Sequence, residues 1–218
     1  PGTDGAQLDR GLTPAHRRLA FEELFVLQLA LASRQRVMKE EVKQVSFNPK
    51  TPLLGKLDRA LPFQLTDAQA RVIREILSDM TSSKPMNRLV QGDVGSGKTI
   101  VAVQAMVLAC GSGYQAALMA PTEILAEQHY RTMKGLLEPL GLSVVLVSGG
   151  GRAAARKAVR GQVASGAAQV VIGTHAVIQQ GVTFAKLGLA VVDEQHRFGV
   201  LQRKTLIEKG YKPDVLVL

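Results

Sequence analysis

From Phe63 onward, short and uniformly apolar runs alternate with longer stretches of helical periodicity. That alternation confines the chain to a small set of folds. The runs are 88–91, 116–120, 144–147, 170–172, 189–192 and 215–218, with helices expected near 67–80, 98–110, 123–137, 152–164, 175–180 and 199–208. Strands apolar at every position are buried on both faces, which requires a parallel sheet with helices on either side. Such sheets take their ligands at the carboxyl ends of the strands. The fold class expected is therefore α/β, with a helical extension in front. No internal repeat is visible.

The extension begins at Thr13-Pro14, a hydroxyl N-cap followed by proline at the first helical position. Leu24, Leu27, Gln28 and Leu31 share one face of the expected helix, with Phe21 and Phe25 alongside, and the pattern runs to about Val45. Pro49, Pro52, Gly55 and Pro62 make 46–62 read as a linker. The division expected is a helical extension over 1–60 and an α/β body over 61–218. The last apolar run stops at Leu218 with nothing after it, so the chain is expected to be a piece of a longer protein.

Composition narrows the partners. A formal net charge of +9 suits a polyanion such as nucleic acid. Between Pro139 and Val192 no acidic residue occurs, while Arg152, Arg156, Lys157, Arg160 and Lys186 do. Arg152, Arg156 and Arg160 line one helical face, which is either a track for a phosphate backbone or an ordinary solvated face. No aromatic residue interleaves these charges, so base stacking is not indicated. The single cysteine, Cys110, excludes a disulfide within the chain. Its apolar surroundings make it a small buried residue in expectation rather than a reactive thiol. No stretch reaches the roughly 20 apolar residues of a membrane span, and no leader pattern is seen, so a cytoplasmic location is expected.

Gly92-Asp93-Val94-Gly95-Ser96-Gly97-Lys98-Thr99 fits the phosphate-loop pattern in full, after an apolar run and before a helical stretch. Its glycines let backbone N–H groups converge on phosphate oxygens, helped by the positive end of the following helix. Lys98 is expected to reach the β- and γ-phosphates of ATP, and the Thr99 hydroxyl to ligate Mg²⁺. Such a loop needs a carboxylate for the metal and a base for water. Asp193 and Glu194, at the end of the run 189–192, supply them: Asp193 as the Mg²⁺ partner, Glu194 as the acceptor of a proton from the attacking water.

Asp193-Glu194-Gln195-His196 is a DExH box. With Arg197-Phe198-Gly199-Val200 and Gln202-Arg203 it resembles the corresponding region of RecG-type DNA helicases. Gly92–Thr99 matches the phosphate loop of that family. Ala120-Pro121-Thr122-Glu123-Ile124-Leu125-Ala126-Glu127-Gln128-His129 looks like its motif Ia, and Gly173-Thr174-His175-Ala176 like its motif Ic. Arg18-Leu19-Ala20-Phe21-Glu22-Glu23-Leu24 resembles the helix that joins the family's wedge domain to its motor. The resemblance covers nearly the whole chain. The motor of transcription-repair coupling translocases is similar, but there the box usually reads Asp-Glu-Glu.

The resemblance implies a RecA-like P-loop lobe, the first of two, cut before motif III. It implies an ATP-dependent DNA helicase or translocase for branched duplex DNA in recombination and repair, acting as a monomer near the nucleoid. A second lobe supplying an arginine finger and a wedge domain recognising the branch would lie outside this chain. Gln69 would read the adenine edge with Phe63 packing on the base, although Thr66-x-x-Gln69 is also a helix capping box. Pro121, Thr122, Gly173, Thr174 and His175 would meet DNA phosphates, although turn and cap chemistry accounts for the same residues. Gln195, His196, Arg197, Phe198, Gln202 and Arg203 would couple hydrolysis to DNA movement, with plain packing the alternative for Phe198. A P-loop ATPase without a DNA role, or a binding module without chemistry, remain the competing classes. No ligand spacing supports a histidine metal site at His129 or His175.

Overall fold

The computed structural model describes residues 13–40, 43–93, 95–150, 153–179, 181–193 and 213–218. Its contacts divide the chain into two compact units, Pro1–Glu41 and Val42–Leu218.

The first unit contains helix α1 (Pro14–Glu40). Thr13 caps it as expected, its Oγ1 accepting from the His16 amide at 3.3 Å. The helix stops by Glu40, short of the expected Val45. Leu19, Phe21, Leu24, Phe25, Val26, Leu27, Leu29 and Leu31 are exposed within this unit. At about 100° per residue these positions encircle the helix instead of forming the single stripe the sequence led us to expect.

The second unit is built on a six-stranded sheet in the order β1-β6-β5-β2-β4-β3, with every pairing parallel. The strands are β1 (Asn87–Leu89), β2 (Gln115–Met119), β3 (Val144–Val147), β4 (Val170–Gly173), β5 (Leu187–Val192) and β6 (Asp214–Val217). The helices are α2 (Pro52–Ala60), α3 (Asp67–Thr81), α4 (Lys98–Gly111), α5 (Glu123–Leu137) and α6 (Ala153–Ser165). The helix expected near 175–180 is a short 3-10 turn, His175–Ile178, and the one expected over 199–208 lies outside the described residues.

Strand alternation assigns each side chain to one of two cores, as a doubly covered sheet requires. Leu118, Ile172, Leu189, Val191 and Leu216 pack with α2, α3, α4 and α5. Met119, Val171, Ala190 and Val192 pack on the other face with Val163 of α6, Val177 and Phe184. Helix α4 has no polar face: every residue from Ile100 to Cys110 is buried. A helix apolar all round must be enclosed, and α4 is, between the sheet and helices α2 and α3.

Helix α2 corrects the linker reading of 46–62. Pro52 occupies the first turn, where no amide hydrogen bond is lost, and Thr51 caps it by accepting from Leu53 N. Leu53, Leu54, Leu57 and Leu61 form a stripe of helical spacing against the core, with Leu57 fully buried. Asp58 accepts from Gln104 Nε2 at 2.6 Å, fastening α2 to α4. Ahead of α2, Lys43 Nζ donates to Asp214 Oδ2 on β6 and to the Met80 carbonyl, each at 2.5 Å. Asp214 Oδ1 accepts from Met86 N at 2.9 Å. Burial pushes the Lys43 ammonium below its ordinary pKa and the Asp214 carboxyl above its own, against the attraction each has for the other.

Candidate nucleotide-binding site

The phosphate loop joins β1 to α4 at the carboxyl end of the sheet. Gly95 and Gly97 take left-handed φ values of 83° and 81°, conformations that side chains rarely tolerate. A Cβ on Gly97 would also collide with the Gln69 amide. Gly97 stands at the N-cap of α4 without a side-chain cap, so the first amides of that helix are left for an anion. Gly92, Asp93, Gly95 and Ser96 are exposed; Val94 lies outside the described residues. Lys98 Nζ donates to the carbonyls of Gly92 and Asp93 at 2.8 and 3.1 Å, folding the ammonium back onto its own loop. Thr99 follows in the first turn of α4, half-buried.

Gln69 belongs to the same cluster. The Thr66–Gln69 capping box is complete: Thr66 Oγ1 accepts from Gln69 N, and Gln69 Oε1 from Thr66 N at 2.9 Å. The Gln69 Nε2 then donates to the Ser96 carbonyl at 2.9 Å, tying α3 to the phosphate loop. Phe63, half-exposed, precedes α3.

Asp193 follows β5, and its amide donates to Met119 O of β2 at 3.0 Å. Its Oδ2 lies 2.7 Å from His129 Nε2 on α5. Sequence reading set aside a metal role for His129 for want of ligand spacing and did not pair it with Asp193, which lies 64 positions away. The signal lies in the fold: β2 pairs with β5, so the helix that follows β2 starts beside the end of β5. The Thr99 hydroxyl and the Asp193 carboxylate are hard oxygen donors, the type that suits Mg²⁺. Among the described residues no group of three or more His, Cys, Asp or Glu is arranged to hold a metal by itself. Glu194, Gln195, His196, Arg197, Phe198, Gln202 and Arg203 lie outside the described residues.

The two motif loops follow β2 and β4. Thr122 is exposed and caps α5 through Leu125 N, with Pro121 beside it. Gly173 is buried in β4; a Cβ there would strike the Val147 carbonyl and come within 2.8 Å of Val177 Cγ2. The expected cap at Thr174 is absent: its side chain makes no bond to the turn it precedes. Its hydroxyl is buried with no hydrogen-bond partner. It lines a cavity of about 290 Å³ with Glu123, Glu127, Val147 and Ser148. His175 is exposed. Arg156 of α6 donates to Gly149 O at 2.9 Å, and Arg152 is outside the described residues.

The family described as DEAD/DEAH box helicase matches residues 66–213. The chain is 51% identical over 205 residues to the ATP-dependent DNA helicase RecG of Synechocystis, covering 94% of this chain and 25% of that protein. It is 48% identical over 206 residues to the ATP-dependent DNA helicase RecG of Escherichia coli K12, covering 94% of this chain and 29% of that one. The chain thus spans under a third of the length of these relatives. A solved structure of RecG bound to a three-way DNA junction superposes with a TM-score of 0.81 at 43% identity, over 92% of this chain and 27% of that one. A DEAD box protein from Methanococcus jannaschii shares the fold, with a TM-score of 0.61 at 21% identity over 78% of this chain and 48% of that one. The RecA-like sheet, the phosphate loop at its carboxyl edge and these matches together establish that the chain belongs to the DEAD/DEAH box helicase family, with its likeness to the RecG-type DNA helicases.

Proposed function

We propose that this chain is the ATP-binding lobe of a DNA helicase or translocase motor that works on branched duplex DNA, such as stalled forks and Holliday junctions, in recombination and repair. The observation that carries the reading is the phosphate loop held by Gln69 on one side and α4 on the other, at the sheet edge where Asp193 also lies. Lys98 exchanges its two loop carbonyls for phosphate oxygens when nucleotide enters, because a charge-assisted bond to phosphate is the stronger one. The loop amides and the uncapped start of α4 orient the phosphate chain. Mg²⁺, when bound, neutralises charge developing on the phosphates; Thr99 and Asp193 are the residues that would hold it. Glu194 takes the proton of the attacking water, so that the hydroxyl oxygen bonds to phosphorus as the bridging oxygen leaves with the diphosphate.

Thr122 and the Gly173–His175 loop are the proposed DNA contacts, and Gln195, His196, Arg197, Phe198, Gln202 and Arg203 the proposed coupling segment. Adenine reading by Gln69 with Phe63 belongs to the same proposal. So does a helical extension leading into a motor lobe; because α2 packs within the second unit, the lobe is taken to begin at Val42 and not at 61. The second lobe, its arginine finger and a wedge domain would complete a monomeric, nucleoid-associated machine. Among the described residues no helix is long and apolar enough to cross a membrane.

The test is ATP hydrolysis by the full-length protein with forked DNA, linear duplex or no DNA, beside Glu194→Gln. Stimulation by the fork that disappears in the variant is the expected result. Equal turnover in all three conditions would refute DNA coupling and favour a general P-loop ATPase.

A further inference from the structure

His129 sits two turns beyond the Thr122 cap of α5, with its ring against Asp193, the residue that follows β5. Its ring and the Asp193 carboxylate are largely covered, with 12% and 15% of their side chains exposed. The backbone of Asp193 is fixed by its bond to Met119 O. The sheet therefore sets where the carboxylate starts, while its two side-chain torsions are left to its neighbours. Oδ2 lies 2.7 Å from His129 Nε2. An ionised carboxylate only accepts, so Nε2 carries the proton and the imidazole donates.

We propose that His129 is a positioning residue for divalent-ion binding: its Nε2–H holds Oδ2 of Asp193, fixes the plane of the carboxylate and leaves the other oxygen to serve the ion. The proposal rests on the reading of Asp193 as the Mg²⁺ partner. Carboxylates that serve a metal are oriented by a second ring of hydrogen bonds, and loss of such a bond lowers metal affinity. Helix α5 suits the task. It is anchored by Ala126, Met133 and Leu137, all buried, so the ring is carried on a rigid support.

The test is Mn²⁺ affinity of the full-length protein with ADP bound, read from the free-ion signal in electron paramagnetic resonance. Asp193→Asn, His129→Ala, His129→Gln and His129→Asn are compared, with thermal unfolding in the absence of metal as the control for folding. His129→Ala is expected to weaken Mn²⁺ binding about 10- to 100-fold. His129→Gln places an amide N–H near the position of Nε2 and is expected to recover most of that loss. His129→Asn falls short and is not. If Asp193→Asn weakens binding while His129→Ala does not, the role of His129 is overturned and Asp193 keeps its own. If Asp193→Asn has no effect, the metal reading of Asp193 falls and the proposal with it. Should His129→Ala fail to fold, equal Mn²⁺ affinity of the Gln and Asn variants overturns the proposal.

Discussion

Replacing Lys43 by Met tests how the segment ahead of α2 is held to the sheet. The Lys43 and Asp214 side chains are 1% and 0% exposed, so the pair has no water to fall back on. Lys43→Met removes the ammonium but keeps the length of the chain. It leaves the Met80 carbonyl without this donor, and the Asp214 carboxylate with the Met86 amide alone. Breaking a buried pair from one side destabilises by about 3–5 kcal/mol, because the remaining charge is stranded. For a body of this size each kcal/mol is about 2–4 °C of melting temperature, so a fall of roughly 6–20 °C is expected. Asp214→Asn on top of Lys43→Met removes the stranded charge and keeps an oxygen for Met86 N. The double variant should therefore be more stable than Lys43→Met alone. Because burial raises the Asp214 pKa in the folded state, the folded chain binds this proton more readily than the unfolded one. Its contribution to stability is present below the unfolded pKa and is lost as pH rises through the folded pKa. The instability of Lys43→Met should accordingly shrink as pH falls through the carboxylate range, and only while Asp214 is intact. Urea unfolding followed by circular dichroism across that range compares four chains: the parent, Lys43→Met, Asp214→Asn and the double variant. A loss under about 1 kcal/mol for Lys43→Met, or strict additivity in the double variant, would refute the reasoning.

Two further outcomes are expected. Burial pushes the Cys110 thiol up to about 12, so an aromatic disulfide reagent at pH 8 should titrate no thiol in the folded chain and one after denaturation; prompt reaction in the native state would contradict its burial. Gln69→Ala should lower nucleotide affinity and cost about 1 kcal/mol of stability from the lost cap bond, whereas Gln69→Glu keeps the acceptor for Thr66 N but cannot donate to Ser96 O. Unchanged nucleotide affinity in both variants would remove Gln69 from the site.

Much of the architecture was legible because it rests on local rules. Uniformly apolar runs such as 170–172 can only be strands covered on both faces, and Thr66 and Thr122 announce the starts of α3 and α5 through their hydroxyls. The phosphate loop was legible because its chemistry is contiguous. Helix α2 was hidden because Pro52 and Gly55 read as breakers, although proline in a first turn breaks nothing. The His129–Asp193 and Lys43–Asp214 contacts were hidden because strand order brings them together across 64 and 171 positions. The placement of β6 between β1 and β5 had no sequence signature either.

That strand order gives the phosphate loop two unequal shoulders. On one side stands α4, locked on every side and unable to shift without disturbing the whole interior. On the other stands β1, three residues long and, among the described residues, at the rim of the sheet and laddered to β6 alone. A displacement of the loop is expected to be taken up on the softer shoulder. The Asp214–Met86 bond, with Lys43 behind it, braces that side just before β1 begins. The stretch ahead of α2 therefore bears on the softer shoulder, and slow amide exchange in α4 beside fast exchange in β1 is the expected signature of the difference.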